Sequence, residues 1–480
     1  MTNAQSRFLT TVSCTCKEFT HPWTDSCANA SAGILLSAIP YTLRVYTMVY
    51  ALSLIMRHRI PSLADLKRTA LGILQSSAFL VSNAYTFILI NCLMRKIIGH
   101  YYHATIAFVP GFLCSFASIL IERPARRPLL TLYVANLATE VLWKMGIARG
   151  YVRSIPQGQT LIFGISISAL LYLYRLGLHK STCKDSLFNV LRFFVDKAEE
   201  GPIVMKLTTT PSSTSTKNLP DATTIHTSNN NIVRSHPPLD FRSINVIVQL
   251  YSRFMEAVKS KHPSCPHRDN CWRYAFIGGI KPFVGGLGLQ MGLRIVLNLR
   301  RILQFKLDVR KTLFDKDTLK LGIFLGCFSF VYKGVSCTLR HSFGRDDPRF
   351  AIPAGLLGSI AFSIYPDVTV ALYVMWKALQ VLYNLGIDRG VLPHVNNFTI
   401  YLYAFCSALL FHGGILEAKT MRPSYMRFLR GLSGERLNRF NLEPFNVYGH
   451  HASQQMKEIS QQLNLINKTP LPKCSLASWK

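Results

Sequence analysis

The second half of this chain repeats its first, apolar stretch for apolar stretch, across a polar spacer, and that repeat limits the folds open to it more than any other feature. Leu132-Tyr133-Val134 and, further on, Gly146-Ile147-Ala148-Arg149-Gly150 return 240 residues later as Leu372-Tyr373-Val374 and Gly386-Ile387-Asp388-Arg389-Gly390. Leu71-Gly72-Ile73 returns as Leu321-Gly322-Ile323, Leu43-Arg44-Val45 as Leu293-Arg294-Ile295, and 160–169 aligns with 399–408. Duplicated hydrophobic bundles build pores and carriers, and they also build inert scaffolds, so the repeat bounds the function without naming it.

A membrane-spanning helix needs about 20 mostly apolar residues, because the hydrocarbon core is about 30 Å thick and each residue rises about 1.5 Å. Five windows in the first half approach that length, at 33–56, 71–94, 105–121, 129–147 and 160–178; five follow at 274–299, 319–339, 350–368, 369–387 and 398–416. The expected fold is all-α, a multipass transmembrane helical bundle of two homologous repeats with about 8 to 10 membrane segments. The fourth window of each half is doubtful, since Asn136, Glu140 and Lys144 recur every four residues and line one helical face with polar groups. Composition agrees with lipid as solvent: charged residues are 16% of the chain, below the roughly 25% of soluble domains. The formal charge of +30 sits mainly between apolar windows, where Lys and Arg face anionic headgroups. Membrane lipids are the expected partners; without a clustered basic face carrying a recognition motif, nucleic acid is not.

The chain divides into a Cys-rich segment at 1–32, a first transmembrane repeat at 33–197 and a flexible polar linker at 198–245. A Cys/His-rich segment at 246–273, a second repeat at 274–421 and a basic-to-polar tail at 422–480 follow. The linker's Ser, Thr and Asn runs cannot bury enough apolar surface to offset their ordering entropy. Cation bias puts the loops 57–68 and 123–127 on the cytosolic side, and 300–311 asks for the same side. Five spans per half would invert the second copy, so the preferred reading is that the fourth window does not span.

Three groups of residues could carry chemistry. Arg44 and Arg294 hold equivalent mid-window places, and a buried arginine at mid-bilayer costs at least about 2.5 to 3.5 kcal/mol, so it asks for a polar partner. With Asn136, Glu140 and Lys144, and their echo at Lys377, Gln380 and Asn384, they compose a candidate intramembrane polar site; the alternative is that both arginines snorkel. Cys14, Cys16, His21 and Cys27, then His262, Cys265, His267 and Cys271, each supply four ligands, enough for one tetrahedral zinc. Their spacings match no standard finger and differ between copies, which favours disulfides or ordinary loop residues over a metal. Gly288 and Gly292, then Gly322 and Gly326, have the small-xxx-small spacing that lets helices approach closely in lipid. No phosphate-cradling loop, catalytic triad or paired carboxylates can be defended, so neither catalysis nor a cofactor is expected.

The run 120–140, which contains Glu122-Arg123-Pro124-Ala125-Arg126-Arg127-Pro128, continues through 145–150 and closely resembles the transmembrane protein 135 (peroxisomal membrane protein 52) family. The resemblance extends to the Cys-rich start, to 74–80, 332–337 and 422–425, and covers nearly the whole chain except the linker and the last thirty or so residues. It implies a multipass protein of peroxisomal and mitochondrial membranes, tied to mitochondrial fission and fusion, peroxisome organisation, and fatty-acid and sterol handling, with the fission machinery as a partner and no catalytic site. A more distant similarity to the Tim-type translocase family rests on Arg340, Asp347, Ala354, Gly355 and Gly358, whose spacing departs from that family's pattern.

Overall fold

The computed structural model describes residues 10–55, 62–178, 186–201, 261–303 and 316–463, and their regular structure is helical apart from one antiparallel bridge between Val12 and Tyr101. Nearly all of the linker, Arg57 and Arg59, 246–260, most of 300–311 and 464–480 lie outside the described residues. The longer helices of the first half are α1 (Cys27–Ile55), α2 (Leu63–Ile98), α3 (Phe108–Ile119), α4 (Arg127–Ala148), α5 (Gly158–Leu176) and α6 (Ser186–Val195). They are followed by α7 (Cys271–Leu303), α8 (Lys316–Phe343), α9 (Ala351–Ser359), α10 (Val368–Asp388), α11 (Phe398–Leu416), α12 (Pro423–Leu432) and α13 (Ala452–Gln462).

These helices fall into two compact units, Met1–Pro156 with Gly390–Lys480, and Gln157–Arg389. The division does not follow the boundaries 33–197 and 274–421. Unit 1 takes α11 from the second half, and unit 2 takes α5 from the first. In unit 1, α1 packs on α2, α2 on α3, α3 on α11, and α11 on α4. In unit 2, α7 packs on α8, α8 on α9, α9 on α5, and α5 on α10, the same order of long, long, short and two medium helices.

Local chemistry sets the helix ends. Ser62 and Asp65 form a reciprocal capping box before α2, and Gly99 at φ 84° closes that helix, in the left-handed region where a side chain would be strained. Gly344 at φ 64° sits just past α8, its N–H reaching the Arg340 carbonyl. Gly150 and Gly390, at φ 73° and 71°, stop the helices α4 and α10, and Gln157 and Asn397, at φ 55° and 59°, precede α5 and α11.

Among the described residues, six helices are long and apolar enough to cross a membrane: Cys27–Leu54, Leu63–Ile98, Gly158–Leu176, Asp317–Phe343, Val368–Asp388 and Phe398–Leu416. The windows 105–121 and 350–368 break up instead. The 12-residue α3 rises only about 18 Å and cannot span about 30 Å; α9 is shorter still. α4, with its polar stripe, and α7 are not among the six, whereas α10 is. The 36 residues of α2 reach about 54 Å, so one end projects well beyond the hydrocarbon. Beside that end lies the charged turn after α3: Arg123 donates to Gln75 Oε1 at 2.9 Å and to the Arg68 carbonyl at 3.4 Å. The basic residues of 67–68 and 123–127 therefore share one end of unit 1.

Residues 423–463, polar by composition, are packed into unit 1. Phe440, Leu442, Phe445, Tyr448, Met456 and Ile459 join Phe19, Tyr101 and Ile106 in one core. Phe19 meets Tyr101, Phe440 and Phe445 edge to face, and its carbonyl accepts from Asn441 N at 3.0 Å. The apolar residues of this segment are too irregularly spaced to mark a core face in sequence.

Close helix contact in unit 2 is made where α7 crosses α8. A Cβ on Gly322 would lie 3.0 Å from the Phe283 carbonyl oxygen, and one on Gly326 would lie 2.9 Å from Phe283 Cβ and 3.1 Å from the Gly279 carbonyl oxygen. Their partners are Gly279 and Gly286. Gly288 and Gly292 instead face open space among the described residues.

Candidate functional site

The residues expected to form one intramembrane polar site are distributed over separate contacts. Arg44 is exposed on α1. Arg294, half-buried on α7, lies near enough to Asp317 for their charges to interact. Asn136 is buried on α4, while Glu140 accepts from Arg422, the residue capping α12, and pairs with Lys144 at 2.7 Å. In unit 2, Lys377 is buried on α10 and donates to Gln380 at 3.1 Å; Asn384 is half-buried one turn on. Glu140 thus has its cations within unit 1, and neither is Arg44.

A denser charged network, not foreseen from the sequence, sits in unit 2 where α5 and α8 end. Glu199, fully buried after α6, bridges Arg175 of α5 and Arg340 of α8; Asp346 accepts from Arg340 Nε at 2.7 Å and also binds Arg175. Two arginines and two carboxylates leave no net charge. Burial works to raise the Glu199 carboxyl, but Arg340 and Arg175 outweigh it and hold it well below the usual carboxylate range. Of the Tim-like residues, only Arg340 belongs to this network; Asp347 caps the turn at Arg349 N, and Gly355 and Gly358 pack against Ser168 and Phe328.

Unit 1 carries a histidine cluster. His103 Nε2 lies 3.0 Å from His450 Nε2, His412 and Tyr448 stack edge-on against the His103 ring, and Glu417 binds Arg149. Burial, then His450 and Arg149, push the His103 imidazole down to about 4, and burial with Arg149 also lowers His450. Between the ordinary value near 6.5 and about 4 the unfolded chain binds protons that the folded one does not, so stability falls as pH falls. The expected slope is about 1.4 kcal/mol per pH unit for one such site. Thermal unfolding of the purified protein should drop steeply from pH 7 to 5, and His103→Gln should flatten the profile; a wild-type midpoint unchanged across that range would refute the assignment.

The Cys/His segments do converge, with one change of membership in each. In unit 1 the ligand atoms of Cys16, His21, Cys27 and Cys92 all lie within 4.8 Å of one another; in unit 2 those of Cys265, His267, Cys271 and Cys337 do the same. Cys92 takes the place expected of Cys14, whose carbonyl accepts from Arg95 Nε at 2.6 Å. Cys337 takes that expected of His262, which belongs to the turn presenting Cys265 and packs on His341. Cys92 and Cys337 lie in apolar helices and read there as small hydrophobes. The signal that could have found them is the shared Cys-x-x-Arg of 92–95 and 337–340. Each cluster offers three thiols and one imidazole, a donor set suited to a soft or borderline cation.

No solved structure matches the chain. Residues 13–147 match the family model described as the N-terminal cysteine-rich region of Transmembrane protein 135, a stretch that contains the whole first Cys/His cluster together with α1 to α3 and most of α4. Over that stretch the chain is similar to the cysteine-rich region of the transmembrane protein 135 family.

Proposed function

We propose that this multipass membrane protein is a non-enzymatic regulator, resident in peroxisomal and mitochondrial membranes, of the mitochondrial fission and fusion balance, peroxisome organisation and fatty-acid and sterol metabolism. The observation that carries a scaffold over a carrier is that the charges are paired off locally. Glu140 lies between Lys144 and Arg422, Lys377 meets Gln380, and Glu199 and Asp346 neutralise Arg175 and Arg340. A solute path would need such groups to line a shared cavity and to exchange partners. On this reading the protein acts through its surfaces, with membrane lipids and the fission machinery as partners. The matched neighbour order of the two units and the matched turns at 150 and 390, and at 157 and 397, support descent from one duplicated unit.

A second reading, a carrier or channel for a lipid, acyl derivative or other solute, draws on one observation. An apolar cavity in unit 1, lined by Phe87, Val134, Tyr403, Leu410, Tyr425 and Phe428, has the lining an acyl chain would select. Glu140→Gln separates the two. It weakens the pair with Arg422 but hardly alters packing, so null cells rescued with it at matched expression should regain organelle morphology and lipid content to within about 20% of wild type, consistent with a pair contributing about 1 kcal/mol. Loss of rescue at normal abundance and targeting would favour the carrier.

A further inference from the structure

The geometry points to one structural zinc ion in each unit, held by Cys16, His21, Cys27 and Cys92 in unit 1 and by Cys265, His267, Cys271 and Cys337 in unit 2. Three observations converge on it, none of which uses the functional reading above.

The first is the orientation of the imidazoles. His21 Nδ1 lies 2.9 Å from the Thr24 carbonyl and His267 Nδ1 lies 2.7 Å from the Asp269 carbonyl. A carbonyl only accepts, so Nδ1 carries the proton in both rings and Nε2 keeps its lone pair. His21 is fully buried and its Nε2 has no hydrogen-bond partner; His267 Nε2 sits 3.3 Å from Cys337 Sγ. An imidazole oriented by a carbonyl through one nitrogen and turned onto thiols with the other is the arrangement metal-bound histidines adopt.

The second is spacing. Cys16 and Cys27 sulfurs are 3.6 Å apart, and those of Cys265 and Cys271 are 3.7 Å apart. A disulfide needs about 2.05 Å. Zn–S bonds of about 2.3 Å and Zn–N bonds of about 2.0–2.1 Å at tetrahedral angles put sulfurs about 3.8 Å apart and sulfur and nitrogen about 3.6 Å apart. The observed separations lie near the edges of that tetrahedron.

The third is that two dissimilar sequences arrive at the same construction. His21 stands five residues after Cys16 and six before Cys27, whereas His267 stands two after Cys265 and four before Cys271. Yet Cys27 and Cys271 both open the first long helix of their unit, and Cys92 and Cys337 both lie on the second, three residues before an arginine. Each ion would tie the segment ahead of the first helix to both helices. Three thiolates and an imidazole favour zinc over hard cations, and four protein ligands leave no open position, so the ions hold structure and do no chemistry. Arg95 also pins the unit 1 segment through the Ser13 and Cys14 carbonyls.

Full-length protein purified in detergent from zinc-replete cells should carry two zinc ions per chain by elemental mass spectrometry. Cys92→Ser and Cys337→Ser should each lose one and their combination both, while Cys14→Ser and His262→Gln retain two. Should the variants fail to accumulate, X-ray absorption at the zinc edge of the wild-type protein decides, with three sulfurs near 2.3 Å and one nitrogen near 2.0–2.1 Å expected. Zinc-free wild-type protein yielding Cys16–Cys27 and Cys265–Cys271 disulfide peptides would overturn the proposal. So would bound zinc whose amount is indifferent to the Cys92 and Cys337 substitutions.

Discussion

Glu199→Ala should lower the stability of unit 2 by about 3–5 kcal/mol, the cost of removing one partner from a buried, hydrogen-bonded charge network. The size follows from what is left behind. Arg175 and Arg340 have side chains 1% and 0% exposed, and they share Glu199 as well as Asp346. Without Glu199 the pair keeps two positive charges against one carboxylate, at a place where water does not reach. For a unit of this size about 1 kcal/mol moves the midpoint by about 2–4 °C, so the melting temperature should fall by more than about 6 °C. The buried thiols Cys265 and Cys337 provide the readout, since alkylation during heating, mapped to these two residues by peptide mass spectrometry, reports unit 2 opening; chelation beforehand keeps any bound metal from masking the signal. A variant melting within a degree or two of wild type would show that the network contributes nothing.

The pH dependence of the same network has the same sign as that of the His103 cluster but lies in a lower pH window. Because the arginines hold the Glu199 carboxyl below its ordinary range, its contribution is complete above the unfolded value near 4.5 and is lost only as pH falls towards the depressed folded value. The network should therefore add no pH dependence of its own between 5 and 8, where the His103 cluster makes unit 1 sensitive. Separate melts of the two units in one pH series would distinguish these behaviours.

The long apolar helices were legible because lipid as solvent demands long uninterrupted runs, and runs are visible in one dimension. Where α3 and α9 break was not, since Pro110-Gly111 in 105–121 and Pro353, Gly355, Gly358 and Pro366 in 350–368 are also tolerated inside membrane helices and do not by themselves separate a short helix with a turn from a full span. Membership of the units was hidden for a different reason: α5 and α11 are exchanged relative to the sequence halves, and no local pattern records which bundle a helix joins. The same holds for the sites. Sequence order grouped Cys14 with Cys16 and His262 with Cys265, but ligands are chosen by proximity in space, and α2 and α8 bring Cys92 and Cys337 back past the start of each unit. Glu199 and Asp346 lie far apart in sequence and meet only through Arg175 and Arg340.

Leucine in place of Gly326 should abolish stable accumulation of the protein, while leucine at Gly288 should leave it near wild type. Both glycines belong to small-xxx-small pairs, so spacing alone ranks them equally. Contact distances do not. At Gly326 even a Cβ would meet Phe283 Cβ at 2.9 Å and the Gly279 carbonyl oxygen at 3.1 Å, and the second of these is backbone that cannot rotate aside. Gly322 is confined in the same way by the Phe283 carbonyl oxygen at 3.0 Å. A leucine there must separate α7 from α8 along their whole crossing. Overpacking of this kind costs about 1–3 kcal/mol for a few added methylenes, and more where the obstacle is main chain. Gly288 has nothing within 4 Å and is exposed, so its leucine would only add exposed apolar surface. Abundance in cells and thermal unfolding in detergent, read for Gly326→Leu, Gly326→Ala and Gly288→Leu side by side, should rank leucine at 326 worst and alanine at 326 between. Equal tolerance of leucine at both positions would mean that α7 and α8 do not cross at these glycines.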